Sequence, residues 1–169
     1  MEVAQRSENL RRLDGGDFDV IVIGGGINGA VSAAALAGRG ASVALVDRGD
    51  FGAFTSQESS NLVWGGFKYL ENYELGLVYG LCRSRNELMK SYPDNVREIG
   101  FLATLDKSAP YRPWFAGVGA TAYWAIGRFG TKPPKVFSRR RLAQAEPAIS
   151  TTTARGAIQY QDAYLIDND

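Results

Sequence analysis

The run Phe18 to Ile23 is apolar and β-branched apart from Asp19, and it passes without a break into Gly24-Gly25-Gly26-Ile27-Asn28-Gly29. This junction limits the fold more than any other part of the chain. The run reads as a fully buried parallel strand. Gly24, Gly26 and Gly29 have the spacing G-x-G-x-x-G. The first permits a tight turn, the second lets main chain approach a pyrophosphate, and the third lets the next helix pack on the strand. An alanine-rich helix is expected from about Ile27 to Arg39, its N-terminal N–H groups and dipole facing a diphosphate. Small Ala33 would let it lie close to the sheet, and Gly40 permits a left-handed cap. Ala41 to Val46 is the second strand, and Asp47 at its end, 23 positions after Gly24, is placed to accept from ribose hydroxyls. Strand, glycines, helix, strand and acid in this order predict a dinucleotide site, with NAD and FAD both still open.

A second stretch separates the two. Thr55-Ser56-Gln57-Glu58-Ser59-Ser60-Asn61-Leu62-Val63-Trp64-Gly65-Gly66-Phe67-Lys68-Tyr69-Leu70-Glu71 resembles the flavin-contacting segment of FAD-dependent glycerol-3-phosphate dehydrogenases and oxidases, within the D-amino-acid-oxidase-like flavoproteins. The resemblance extends to Gly49-Asp50-Phe51, to Leu142 through Pro147 and to Gly156 through Ala163, and is weak from about Phe101 to Val136. It implies FAD as cofactor. Gly24, Gly26, Ile27, Asn28 and Gly29 would hold the diphosphate, Asp47 and its neighbour Arg48 the ribose side, and Thr55, Ser56, Ser59, Ser60, Leu62, Val63 and Trp64 the riboflavin side. The residue chemistry agrees: the hydroxyls suit a polyol and a polar ring edge, and Gly65-Gly66 permits close main-chain approach to a ring plane.

The resemblance implies oxidation of sn-glycerol 3-phosphate to dihydroxyacetone phosphate, with electrons passing to quinone or oxygen. Two residues depart from the family pattern. Trp64 stands where the family usually has histidine, and an indole neither accepts nor delivers a proton. Lys68 stands where arginine is usual, which keeps the charge but loses bidentate geometry. Lys68 and Tyr69 are the expected substrate contacts, as an ammonium for a phosphate and a phenol for a hydroxyl. A base must take the alcohol proton, and no residue here is a candidate, so the catalytic residue is unassigned. An amino-acid or amine oxidase of the same superfamily, and a non-catalytic flavin-binding remnant, are the alternatives.

The expected fold class is α/β: a split Rossmann-like FAD-binding βαβ domain with part of an inserted α+β substrate domain. The expected divisions are a flexible lead or short helix over 1–17, the first part of the FAD domain over 18–100 and a partial substrate domain over 101–169. With 169 residues, 45% hydrophobic and 22% charged, the chain is of ordinary globular type but short for this family, so an N-terminal fragment is expected. The closing Leu165 to Asp169 resembles the start of a family helix.

A net charge of +1 gives no argument for nucleic acid. With no histidine and one cysteine, neither a zinc site nor an internal disulfide is expected. Cys82 reads as a small buried hydrophobe. The first 17 residues lack the apolar core of a signal peptide, which predicts a cytoplasmic protein. Glu74 to Tyr92 predicts an amphipathic helix covering the nucleotide domain, with Leu75, Val78, Leu81, Cys82, Leu88 and Met89 as its apolar positions, and Phe101 to Leu105 a strand. Pro113 to Gly127 is uncharged for 15 residues, short of the ~20 that span a bilayer. It reads as a buried or dimer-contact hairpin in preference to an interfacial helix; the latter would place the protein peripherally on the inner face of the membrane. Lys132-Pro133-Pro134-Lys135 reads as a rigid linker, and Ser138 as the cap of a helix with Arg139 to Arg141 solvated and Leu142, Ala145 and Ala148 inward. Ala157, Ile158 and Tyr160 read as a short strand, which the resemblance places in the antiparallel sheet of the substrate domain.

Overall fold

The computed structural model describes residues 2 to 166 and divides into two compact units, Met1–Ser60 and Asn61–Asp169. The helix start expected at the C-terminus falls largely on residues 167–169, outside the described residues.

In the first unit, helix α1 (Glu2–Gly15) precedes strand β1 (Val20–Ile23), helix α2 (Ile27–Ala37) and strand β2 (Val43–Val46). The lead is therefore helical, and Glu8 pairs with both Arg11 and Arg12 on its exposed surface. Strands β1 and β2 pair in parallel, from Val20 opposite Val43 to Ile23 opposite Val46. Asp19 ties down the start of β2, its Oδ2 accepting from Ser42 N–H at 2.8 Å. The expectation that β1 is fully buried is not met. Val20 and Val22 are half-buried, but Ile21 and Ile23 are 63% and 86% exposed. The reason lies in the layering: α2 packs on both strands from the Val22 side, and among the described residues of this unit no element packs on the other face. The turn after α2 ends as expected, with Gly40 at φ +91° and Ala41 N–H donating to the Leu36 carbonyl.

The second unit is an antiparallel sheet with helices packed on it. Strand β3 (Leu62–Val63) leads into a 3₁₀ helix (Phe67–Asn72) and helix α3 (Leu75–Ser91). Strand β4 (Val96–Asp106), helix α4 (Pro113–Ile126), strand β5 (Lys135–Ser138), helix α5 (Arg139–Ala145) and strand β6 (Ala154–Leu165) follow. Strand β6 is central, with β4 paired along one edge and β5 and β3 sharing the other. The predicted short strands at 101–105 and 157–160 are the middles of longer ones, and β4 runs through residue 100.

Three further expectations change. The segment from Pro113 is a helix, not a hairpin: Pro113 opens it, alanines at 116, 120, 122 and 125 favour it, and Thr121 Oγ1 donates to the Gly117 carbonyl at 2.8 Å. Its glycines serve packing as well, since a Cβ at Gly117 would lie 2.5 Å from Val136 Cγ2. Helix α3 forms as predicted, but its buried residues Val78, Cys82 and Arg85 pack within the second unit, against the 3₁₀ helix, α4, β4 and β6, while Leu75 and Leu88 are exposed. Ser138 does cap α5, accepting from Arg141 N–H, and Leu142 is buried, but Ala145 and Ala148 are exposed because the helix stops after seven residues.

Leu142 packs with Ala154 and Ala157 against Leu102, Phe137 and Ile149. Leu142→Ala should therefore destabilise the second unit by about 2–5 kcal/mol, whereas Ala145→Glu should change its stability by less than about 0.5 kcal/mol. Urea unfolding of the two variants side by side checks the contrast.

Candidate functional site

The glycine turn joins β1 to α2. Gly24 has φ +103°, a left-handed conformation that a side chain would strain. A Cβ on Gly29 would lie 1.8 Å from the Gly24 carbonyl oxygen, so only glycine lets the first turn of α2 pass this close to the end of β1. Gly26 is the N-cap of α2 and offers no side-chain bond to the helix; the first helical bond is Ala30 N–H to the Gly26 carbonyl at 2.9 Å. The N-terminal N–H groups of α2 are thus left for other acceptors. One acceptor is present: Ser56 Oγ accepts from Ile27 N–H at 3.0 Å.

Asp47 closes the turn from the end of β2. Its Oδ2 accepts from Gly25 N–H at 2.6 Å and its Oδ1 from Gly49 N–H at 2.8 Å. These two bonds, Gly25's first, hold its carboxyl below the usual range, with Arg48 adding a smaller pull. Gly25, outside the fingerprint, is as constrained as the fingerprint glycines, for a Cβ there would lie 2.2 Å from the Phe51 ring. The structure thus gathers Gly24, Gly26, Ile27, Gly29, Asp47 and Ser56 around one turn. Asn28, Thr55, Ser59 and Ser60 are exposed nearby in sequence, and the Arg48 guanidinium lies over the Phe54 ring at 4.6 Å. Crowded glycines, a strand-end carboxylate on the turn and a helix end whose own N-cap residue has no side chain fit a dinucleotide diphosphate and its ribose.

In the second unit, Leu62 is exposed and Val63 half-buried on β3, and Trp64 follows, half-buried. The Trp64 ring lies 5.6 Å from that of Tyr69 at 44°, and burial pushes up the pKa of the Tyr160 phenol. Gly66, at φ +83°, turns the chain into the 3₁₀ helix that carries Lys68 and Tyr69. Tyr69 packs back on Trp64, whereas Lys68 is exposed to solvent, as expected where successive side chains diverge by about 120°.

Behind this segment lies a polar cluster that sequence reasoning missed. Asp162 on β6 accepts on Oδ1 from Arg85 Nη1 at 2.6 Å, from the Tyr123 hydroxyl at 2.8 Å and from Gly65 N–H at 2.8 Å. Arg85 also donates to the Tyr123 hydroxyl and to Asn86 Oδ1, and Asn86 donates to the Gly127 carbonyl. Burial pushes the Asp162 carboxyl up against the pull of its three donors. Burial, then the Asp162 charge, raises the Tyr123 phenol well above its ordinary value. The signal available in the sequence was an arginine in register with Val78 and Cys82 on an otherwise apolar helix face.

The first unit's βαβ arrangement, with its glycine turn and closing acid, defines a Rossmann-like nucleotide-binding fold. More specifically, the chain belongs to the FAD dependent oxidoreductase (DAO) family, whose model matches residues 19–169. It is 40% identical over 156 residues to the glycerol-3-phosphate dehydrogenase of Pseudomonas tolaasii, covering 89% of this chain and 28% of that protein. It is 36% identical over 166 residues to glycerol-3-phosphate dehydrogenase 2 of Mycobacterium tuberculosis, covering 97% of this chain and 28% of that protein. The glycerol-3-phosphate dehydrogenase of Bacillus halodurans, solved with FAD, shares the fold at a TM-score of 0.65 and 20% identity, over 95% of this chain and 24% of that one. The chain thus spans little more than a quarter of the length of the curated relatives it matches. FAD is the cofactor of the family.

Asp47 supplies a pH test. A carboxyl whose folded pKa is depressed contributes stability above its unfolded pKa, and that contribution is lost as pH falls through the folded value. The Gly25 amide resonance should therefore titrate with a midpoint below the ordinary 3.8 of an aspartate, and Asp47→Asn should abolish the step. NMR of the labelled chain from pH 6 to pH 2 checks both.

Proposed function

We propose that the protein is an FAD-dependent dehydrogenase acting on sn-glycerol 3-phosphate, and that this chain carries its nucleotide-binding turn and part of its substrate-facing surface. The likeness to the glycerol-3-phosphate dehydrogenases, which runs through nearly the whole chain, carries this reading. On it, Gly24, Gly26, Ile27, Asn28 and Gly29 hold the FAD diphosphate, with the Ile27 N–H passing from Ser56 Oγ to a phosphate oxygen. Asp47 and Arg48 serve the ribose side. Thr55, Ser56, Ser59, Ser60, Leu62, Val63 and Trp64 serve the riboflavin side. FAD held by these residues would supply the redox chemistry as acceptor of a hydride equivalent, the hydroxyl proton going to a base that this chain's residues do not identify. Lys68 offers an exposed ammonium to the substrate phosphate, and Tyr69 a phenol to a hydroxyl. Trp64 orients by packing and exchanges no proton. Electrons leave to quinone or oxygen.

Membrane contact is part of the proposal. Among the described residues no helix is long and apolar enough to cross a bilayer. Helix α4 turns Trp114, 64% exposed, and exposed Phe115 and Val118 away from the buried face formed by Gly117, Ala120 and Tyr123. Such a face suits peripheral insertion at the inner surface of the cytoplasmic membrane.

Titration with the purified chain should quench FAD fluorescence, and Gly29→Ala, which drives a methyl into the Gly24 carbonyl, should remove the quenching. A wild-type chain that leaves FAD fluorescence unchanged would contradict the cofactor assignment for this chain. In protein of the relatives' length, Lys68→Met should raise KM for glycerol 3-phosphate at least about tenfold, in keeping with the loss of a charge-assisted bond, and leave KM for glycerol nearly unchanged. Equal effects on both substrates reject the phosphate contact. In liposome flotation the wild-type chain should rise with vesicles and the Trp114→Asp, Phe115→Asp double variant should stay behind; identical flotation would rule out α4 as the contact.

A further inference from the structure

Gly65 occupies a position with no room for a side chain, and the reason is internal to the fold. A Cβ there would lie 2.0 Å from the Tyr123 hydroxyl, 2.7 Å from an Arg85 guanidinium nitrogen and 2.9 Å from the Cys82 sulfur. Both of its backbone polar groups are held from the same side. Its N–H donates to Asp162 Oδ1 at 2.8 Å, and its carbonyl accepts from Cys82 Sγ at 3.5 Å.

The holding groups are an expensive choice for a core. Asp162 and Arg85 are 0% and 2% exposed, and a buried ion pair is often no more stable than well-packed apolar residues of the same volume. The pair is not built to satisfy the carboxylate either. Three donors crowd onto Oδ1, whereas Oδ2 is buried with no partner. What this arrangement does secure is the Gly65 peptide, which lies between Trp64 and the left-handed Gly66 that opens the 3₁₀ helix of Lys68 and Tyr69.

We propose that Asp162, Arg85 and Tyr123 are positioning residues: through the Gly65 N–H they fix the Trp64–Gly66 turn, and with it the directions in which Trp64 and the Lys68–Tyr69 turn are presented. The functional consequence rests on the flavoprotein reading above; the mechanical claim does not. A charged acceptor makes the Gly65 bond stronger than a neutral one and confines it to one geometry. Tyr69, whose ring centroid lies 5.6 Å from that of Trp64, then sets the indole on a base that is already fixed.

Asp162→Asn keeps the shape and removes the charge. Native-state hydrogen exchange of the whole chain, read residue by residue by NMR, tests the claim together with FAD quenching. The variant should speed exchange at the Gly65 and Tyr69 amides by about tenfold or more beyond whatever acceleration the loss of the ion pair brings to the β4–β6 ladder amides, and weaken FAD quenching. Uniform acceleration across the second unit, or none at Gly65, would overturn the proposal, because either marks a pair that serves overall stability alone. Should Asp162→Asn fail to fold, Tyr123→Phe removes one donor and keeps the ring, and the same split between turn and ladder is required at smaller amplitude. If wild type leaves FAD unquenched while the split appears, the flavin reading fails and the positioning role stands.

Discussion

Every other strand of the second unit pairs with β6. Along one edge β4 matches it from Val96 opposite Leu165 to Leu105 opposite Gly156, and along the other β5 takes its first half and β3 its second. A strand buried by pairing on both sides cannot shift register without exchanging its two faces. Both faces of β6 are covered here, since the adjacent Ala157 and Ile158 point to opposite faces and are both buried, as is Ala163. The same register sets Asp162 beneath β3, where its carboxylate meets the peptide that follows Trp64. A segment 97 residues away in sequence thus fixes the local conformation around Gly65.

That dependence runs through charge, and charge in a core is costly to disturb. Removing one partner of a buried pair leaves the other unsolvated and costs roughly 3–5 kcal/mol. Arg85 is tied on both sides, to Asp162 and Tyr123 in one direction and through Asn86 to the Gly127 carbonyl at the end of α4 in the other. Helices α3 and α4 are consequently joined to the sheet by one polar network as well as by the apolar contacts of Val78, Cys82 and Tyr123. The aromatic stack of Phe67 on Tyr160, with ring centroids 4.2 Å apart, continues this packing towards the 3₁₀ helix.

The βαβ unit was legible in the sequence because its determinants are local. Glycine spacing, an alanine-rich helix and an acid at the end of a strand all fall within Phe18 to Asp47, and the structure places Gly24, Gly29 and Asp47 in the expected turn. Burial was not legible, since the exposure of Ile21 and Ile23 depends on what covers a sheet face. In the second unit the contacts are long-range: β6 pairs with β4 and β3 residues that lie 48 (Asp106 opposite Ala154) to 102 (Leu62 opposite Tyr164) positions earlier. Pro113 to Gly127 misled for a related reason. Its uncharged run lacks the polar face of a surface helix, which argued for a hairpin, but the helix packs against Val136 at Gly117, a neighbour that only the folded packing brings near. Arg85 escaped notice because an arginine on an apolar face reads as a boundary until its carboxylate partner is known.

The Ser56 hydroxyl on the Ile27 N–H carries a thermodynamic consequence. An anion that takes this N–H must displace a bond already made, so the number of hydrogen bonds at that donor does not rise on binding. The free-energy gain at that donor then comes from replacing a neutral acceptor with a charged one at the positive end of α2. A gain of that origin weakens as the field is screened. An anion bound at this turn would thus meet a geometry set before it arrives, and its affinity would fall as ionic strength rises.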